Sequence, residues 1–229
     1  MPYASSDAAR RVLAHEWRWV AAGGAALAAI AGFVNASLLS TFQVPVSHMT
    51  GAVSRLSRDV ATANAADLWT VLGLLAGFAV GAVVSGAVLG DATLRPGRRY
   101  GLVLLAEGAV LTAAAALLPA SGGVALAALA CGLQNAMASS YYGLVLRTTH
   151  VTGLITDLGV MLGQRLRGRP VPRWKALLLG ALVGGFFAGG IGGAAAVARM
   201  GPAALTIPAV ACVAGGGAYL ARRLRGPRR

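Results

Sequence analysis

Apolar and small side chains run along this chain in blocks, and polar residues are confined mostly to the gaps between them. Six blocks of about 20 residues stand out, at roughly 19–40, 69–90, 100–118, 123–144, 175–197 and 203–221. At 1.5 Å per residue each is long enough to cross a hydrocarbon core of ~30 Å as a helix. Two stretches in the gaps also have helical spacing, VSRLSRDVA at 53–61 and GLITDLGVMLGQRL at 153–166. Helices of about 14 residues would be ~21 Å long, too short to span and suited to half-helices or interfacial helices.

Each short stretch follows a related motif, SHMTG at 47–51 and THVTG at 149–153. Pro45 ends regular structure ahead of the first, and Ser47 or Thr50 is expected to cap the helix that follows. Thr148, Thr149 or Thr152 is expected to cap the second. The pairing extends well beyond the motif. GFVNA at 32–36 aligns with GLQNA at 132–136, so Asn35 matches Asn135, and His48, Thr50 and Gly51 match His150, Thr152 and Gly153. Ser54 matches Thr156, Leu56 matches Leu158, and GFAVG at 77–81 matches GFFAG at 185–189. An internal duplication explains all of these at once. Each half then holds one span, a motif helix and two more spans, and an odd number of spans puts the second half into the bilayer from the opposite side. The expected fold is therefore an all-α membrane protein, six transmembrane helices arranged as two inverted three-span repeats, each with a short extra helix after its first span. The repeats cover about 19–118 and 121–221, within one membrane domain at 19–221.

Composition agrees: 57% of the residues are hydrophobic and only 12% charged, too few charges to cover a soluble globule of 229 residues. The net charge of +13 would suggest nucleic acid in a soluble protein, but its placement reads as topology instead. Arg10, Arg11 and Arg18 precede the first span, and Arg95, Arg98 and Arg99 follow the second. Arg147, Arg165, Arg167, Arg169, Arg173 and Lys175 follow the fourth, and Arg222, Arg223, Arg225, Arg228 and Arg229 end the chain. The opposite side receives only Arg55, Arg58 and Arg199. By the positive-inside rule both termini are cytoplasmic, with basic segments at 1–18 and 222–229 flanking the membrane domain. Residues 1–18 lack the short apolar core of a removable signal peptide. Cys131 and Cys212 fall inside spans and read as small apolar residues, with no structural disulfide expected.

Several side chains are costly where they stand. Glu107 lies inside the third span, where a carboxyl must face protein or water; it suits a proton carrier or a neutral, hydrogen-bonded structural group. His48 and His150 suit proton coupling because imidazole changes charge nearest to neutral pH, though capping or packing at a helix start explains them equally well. A joint metal site would lack the usual ligand set, and no cofactor is expected. Asn35 and Asn135 sit at matching depth, where an amide bonds across helices or lines a polar path, with Gln134 alongside. Asp157 reads as a first-turn acid at a helix N-terminus, and Arg147 as its partner, a topology signal or a group meeting an anionic solute. The pattern Gly77-x-x-x-Gly81 and the run GGFFAGGIGG at 184–193 let backbones approach closely. Signatures of phosphate loops, zinc peptidases and serine hydrolases are missing from the sequence.

GFVNA, VSHMTG and above all the run GLQNAMASSYYGLVLRTTHVTGLITDLGVMLG resemble the YoaK-like family of bacterial multi-pass membrane proteins, a domain of unknown function. The resemblance covers nearly everything beyond about residue 16 and implies a six-span protein of the bacterial inner membrane; it implies no substrate. Asn35 stands where the family pattern leads one to expect Asp, which weakens any scheme that needs a carboxylate there. The leading functional reading is a small secondary transporter or permease for a small polar or anionic solute, proton-coupled through Glu107, His48 or His150. The solute would meet Ser47, His48, Thr50, Gly51, Thr149, His150, Thr152 and Gly153, with Asn35, Asn135, Glu107 and Asp157 nearby. A non-transporting membrane scaffold is the alternative, and a membrane-embedded enzyme the third reading. The expected partners are the lipid bilayer and the solute, not nucleic acid, and a homodimer is compatible with so many small residues.

Overall fold

The computed structural model describes the backbone of residues 7–43, 45–90, 97–140 and 148–225, and among these residues the regular structure is all helical. Arg95, Arg147, Arg228, Arg229 and the end of the fourth expected span, 141–144, lie outside the described residues. The helices are α1 (Asp7–Phe42), α2 (Met49–Ala61), α3 (Ala65–Leu89), α4 (Arg98–Leu117), α5 (Ser121–Ser139), α6 (Val151–Leu166), α7 (Arg173–Met200) and α8 (Thr206–Arg225). The two short motif helices are thus present as α2 and α6. The N-terminal segment is not separate from the first span, because α1 already starts at Asp7.

Five stretches are long and apolar enough to cross a membrane: Trp17–Phe42, Asp67–Leu89, Arg98–Leu117, Ser121–Ser139 and Arg173–Leu224. Helices suit such a setting because they satisfy their own backbone polar groups. The last stretch has 52 residues and holds both α7 and α8. Between them Gly201 takes φ of 58°, a conformation that favours glycine, and a 3-10 turn runs over Gly201–Leu205. The glycine-rich run at 184–193 does not break α7, which continues through it as α-helix.

What holds the helices together is close backbone contact. A methyl group added to Gly185, Gly189 or Gly193 of α7 would strike the backbone of Ala25, Ala29 or Phe33 of α1. Those pairs advance together, so α1 and α7 run parallel. In the same way Gly77 and Gly81 of α3 lie against the backbone of Ala125 and Leu129 of α5, again in parallel. The converse contacts match too: Gly32 meets the carbonyl of Phe186, and Gly132 that of Phe78. Gly101 and Gly108 of α4 face Leu220 and Val213 of α8, so that pair runs antiparallel. Packing of small residues supplies the cohesion that apolar side chains cannot supply in lipid, where burial gains little over contact with acyl chains. Ser37 adds a hydrogen bond from its hydroxyl to the Gly193 carbonyl, 3.2 Å long, across α1 and α7.

α2 packs on α3, and α6 on α7. One core joins α1, α3, α4, α5 and α8 around Leu38, Leu74, Leu111 and Cys212; a second joins α1, α6 and α7 around Val20, Leu154, Met161 and Leu182. The outside carries large apolar side chains, among them Trp69, Val83, Leu162, Phe187 and Val210.

Candidate functional site

The duplicated motifs form one local structure, built twice. Asn35 Oδ1 accepts hydrogen bonds from the Ser47 backbone N–H at 3.1 Å and the Ser47 hydroxyl at 2.8 Å. Asn135 Oδ1 accepts one from the Thr149 hydroxyl at 3.1 Å. Each amide therefore ties the strand of chain before the short helix back to the preceding long helix. Asn35 stands seven residues before the end of α1, so Ser47 lies ~10 Å below that end. The next residue, His48 or His150, is the N-cap of α2 or α6 without a side-chain cap bond, and its carbonyl accepts the N–H of Ala52 or Leu154. The imidazole then folds over the glycine three residues on: a methyl at Gly51 or Gly153 would collide with His48 or His150 Nδ1. The spacing His-x-x-Gly thus serves a ring packed on a first helical turn.

Two expectations are corrected by this geometry. None of the hydroxyl residues caps a short helix: Ser47 and Thr149 are drawn to the asparagines, while Thr50 and Thr152 lie inside the helices, where their carbonyls accept the hydroxyls of Ser54 and Thr156. Asp157 is not a first-turn acid either. α6 starts at Val151, so Asp157 falls in its second turn, exposed, beyond the strongest influence of the helix N-terminus.

The remaining predicted residues do not converge. His48, His150, Thr50 and Thr152 are exposed. Glu107 is buried on α4 at 1% exposure; its carboxyl lies beside the Cys212 thiol of α8 and near Cys131 of α5, and Oε2 has no hydrogen-bond partner among the described residues. Gln134 is fully buried and donates from Nε2 to the Leu27 carbonyl of α1 at 2.7 Å, tying α5 to α1. At the far end of α1, Arg55 of α2 bonds Asp67 of α3 at 2.9 Å and faces buried Asp59 at 3.7 Å, while Arg58 holds Asp59 at 3.0 Å. Among the described residues no cluster of three or more His, Cys, Asp or Glu side chains is placed to hold a metal ion.

A sizeable space lies elsewhere, between α1, α4, α5 and α8. A cavity of about 520 Å³ is lined by Trp19, Gly23, Leu27 and Ile30 of α1, Tyr100 and Leu104 of α4, Met137 and Ala138 of α5, Gly215 and Tyr219 of α8, and Thr148. It extends from Trp19 to Ile30, ~16 Å along the helix axis, and reaches the surface beside Trp19 and Gly23. Among the described residues none that lines it is charged. Thr148 is fully buried, and its hydroxyl has no hydrogen-bond partner among the described residues. Sequence reasoning offered this residue only as a helix cap, although a further signal was present: Val46 holds the matching place before SHMTG, so a polar residue replaces an apolar one at that point in the second half. At the opposite end, Ser37 and Leu38, which match Met137 and Ala138, line with Phe42, Leu118 and Leu205 a space of only about 10 Å³. That is barely the room of one water.

Long apolar helices with large apolar side chains on their outside define an integral membrane protein of several helical spans. Residues 23–218 match the family described as protein of unknown function DUF1275, and the chain belongs to that family. No curated protein and no solved structure matches it.

Proposed function

We propose that this protein is a small permease of the bacterial inner membrane, made of two inverted three-span repeats with both termini cytoplasmic. The observation that carries the reading is the unequal pair of spaces: about 520 Å³ at the end where α1 and α4 start and α5 and α8 finish, against about 10 Å³ at the matching place on the other end. A pathway that opens to one side at a time needs such a difference between halves that are otherwise alike. The halves support it in their packing, since α1 lies on α7 as α5 lies on α3, with α4 and α8 antiparallel to each other. Length supports six crossings: 52 residues would extend ~78 Å as one helix, over twice the hydrocarbon thickness, which leaves room for α7 and α8 to cross separately. The arginine bias then faces the open cavity toward the cytoplasm.

The lining, uncharged among the described residues, favours a neutral solute with an apolar body over the anionic solute that the helix-start motifs suggested. The motif segments act as re-entrant struts, held at depth by Asn35 and Asn135, and Glu107 is the buried group available for proton coupling as α4 and α8 shift. The test uses single cysteines at the matching positions Ala138 and Leu38, in a chain whose Cys131 and Cys212 are replaced by alanine. A polar thiol reagent should label Ala138→Cys from the cytoplasmic face and leave Leu38→Cys untouched, and solutes that slow the first should hasten the second from outside. Labelling of Ala138→Cys that no condition alters, with Leu38→Cys always silent, would remove the permease and leave a static scaffold.

A further inference from the structure

We infer that Thr148 is the specificity-determining residue of the cavity, and that the cavity takes a neutral, apolar-bodied molecule carrying one hydrogen-bonding group. The inference rests on the permease reading for its purpose but stands on its own geometry. A buried hydroxyl without a partner among the described residues is costly, and this one sits on the wall of a space of about 520 Å³, within the range of small-molecule sites. Val46, its match in the first half, is equally buried but packs in a filled core, so the fold itself accepts valine at this point. The hydroxyl is therefore dispensable for packing and available to a ligand. With no charged lining residue among the described residues to offset an ion, and with aromatic rings of Trp19, Tyr100 and Tyr219 around the space, the body of that ligand is apolar and uncharged.

Two probes of one shape test this, 1-aminoanthracene and anthracene, followed by energy transfer from tryptophan in the purified full chain. Trp19 lines the cavity but is exposed, as is Trp69, so the transfer is read as the excess over the Gly23→Leu protein, in which only probe in the surrounding detergent contributes. The amine should bind roughly fivefold more tightly than the hydrocarbon, the yield of one neutral hydrogen bond. Thr148→Val should erase that preference while leaving anthracene binding unchanged. Gly23→Leu should abolish both, because Gly23 lines the cavity and a Cβ added there meets no neighbour, so the side chain fills the space. Equal affinities in the unaltered protein, or a preference that survives Thr148→Val, would overturn the inference while the cysteine labelling above still stands. A copurified phospholipid that neither probe displaces would overturn it as well, marking the space as a lipid groove.

A second observation carries a separate inference: the structure assigns Asp157 and Lys175 to a latch that forms when the cavity closes. Matching the halves by their motifs places Asp157 of α6 at the position of Arg55 of α2, and Lys175 of α7 at that of Asp67 of α3. The charges are exchanged, so an attractive pair exists in both places. At the sealed end the bridge is made, Arg55 to Asp67 at 2.9 Å. At the open end Asp157 and Lys175 are both exposed and form no ion pair among the described residues. The connection there is also longer, 167–172 against 62–64, which gives α6 room to swing. The reporter is again labelling of Ala138→Cys and Leu38→Cys. Asp157→Asn and Lys175→Gln should each raise labelling of the first and lower that of the second. Arg55→Gln should do the reverse, and the double exchange Asp157→Lys with Lys175→Asp should restore the original balance. Single substitutions without effect, or an exchange that fails to restore, would sink the latch.

Discussion

Asn35 and Asn135 show how a single amide decides the course of the chain around it. Asn35 takes both the N–H and the hydroxyl of Ser47, and Asn135 the hydroxyl of Thr149, at points where water is scarce and an unmade bond costs its full desolvation. Replacing Asn35 by Leu keeps the bulk and removes the acceptor, leaving two donors stranded; the expected loss is about 1–3 kcal/mol of stability. Asn135→Leu strands one donor and should cost about 1 kcal/mol. Thermal unfolding in detergent reads both, and equal, negligible losses would show that the two amides merely point at their neighbours. Sequence alone marked these asparagines and the motif residues as special, because polar groups inside apolar blocks have few innocent uses. It did not distribute their partners. Ser47 and Thr149 had two plausible partners, the N–H groups of a helix start, from which a hydroxyl accepts, or a neighbouring amide oxygen, to which it donates, and only the fold brings the amide within reach.

Among the helices, the long apolar blocks and the two short motif segments were legible because length and periodicity are local properties. Boundaries were less so. α1 starts at Asp7 well before its apolar block, since charged residues at 10, 11 and 16 are good helix formers and nothing in that stretch stops a helix. The pair α7 and α8 forms one apolar stretch in composition, and only a glycine at positive φ with Pro202 behind it marks the break. Glycine carried the least legible information. Thirty-two glycines look alike in sequence, yet Gly185 and Gly189 meet backbone on α1 while Gly23, Gly184 and Gly215 meet nothing. Which face of a helix a glycine serves depends on a partner far away in the chain. For the same reason the cavity was invisible: its wall is assembled from four long helices and Thr148, with no shared motif.

For the molecule as a whole, the duplicated motifs make a claim that reaches past their own residues, namely that equivalent positions in the two halves feel equivalent surroundings. The glycine contacts give that claim a measurable form. Gly185 meets the backbone at Ala25 as Gly77 meets it at Ala125, and Gly32 meets Phe186 as Gly132 meets Phe78. An added methyl in any of these places must push two backbones apart, so Gly77→Ala and Gly185→Ala should lower stability alike, as should Gly32→Ala and Gly132→Ala. Overpacking of this kind typically costs about 1–3 kcal/mol. Gly23→Ala is the control: it meets no neighbour, replaces glycine within a helix and should gain up to about 1 kcal/mol. Detergent unfolding of the five variants decides the matter. If the members of a pair fall together while Gly23→Ala holds or rises, the two helix pairs are one packing design used twice. If one member is tolerated and its match is not, that half can yield where the other cannot, and a pathway that opens its two ends by the same movement would have to be given up.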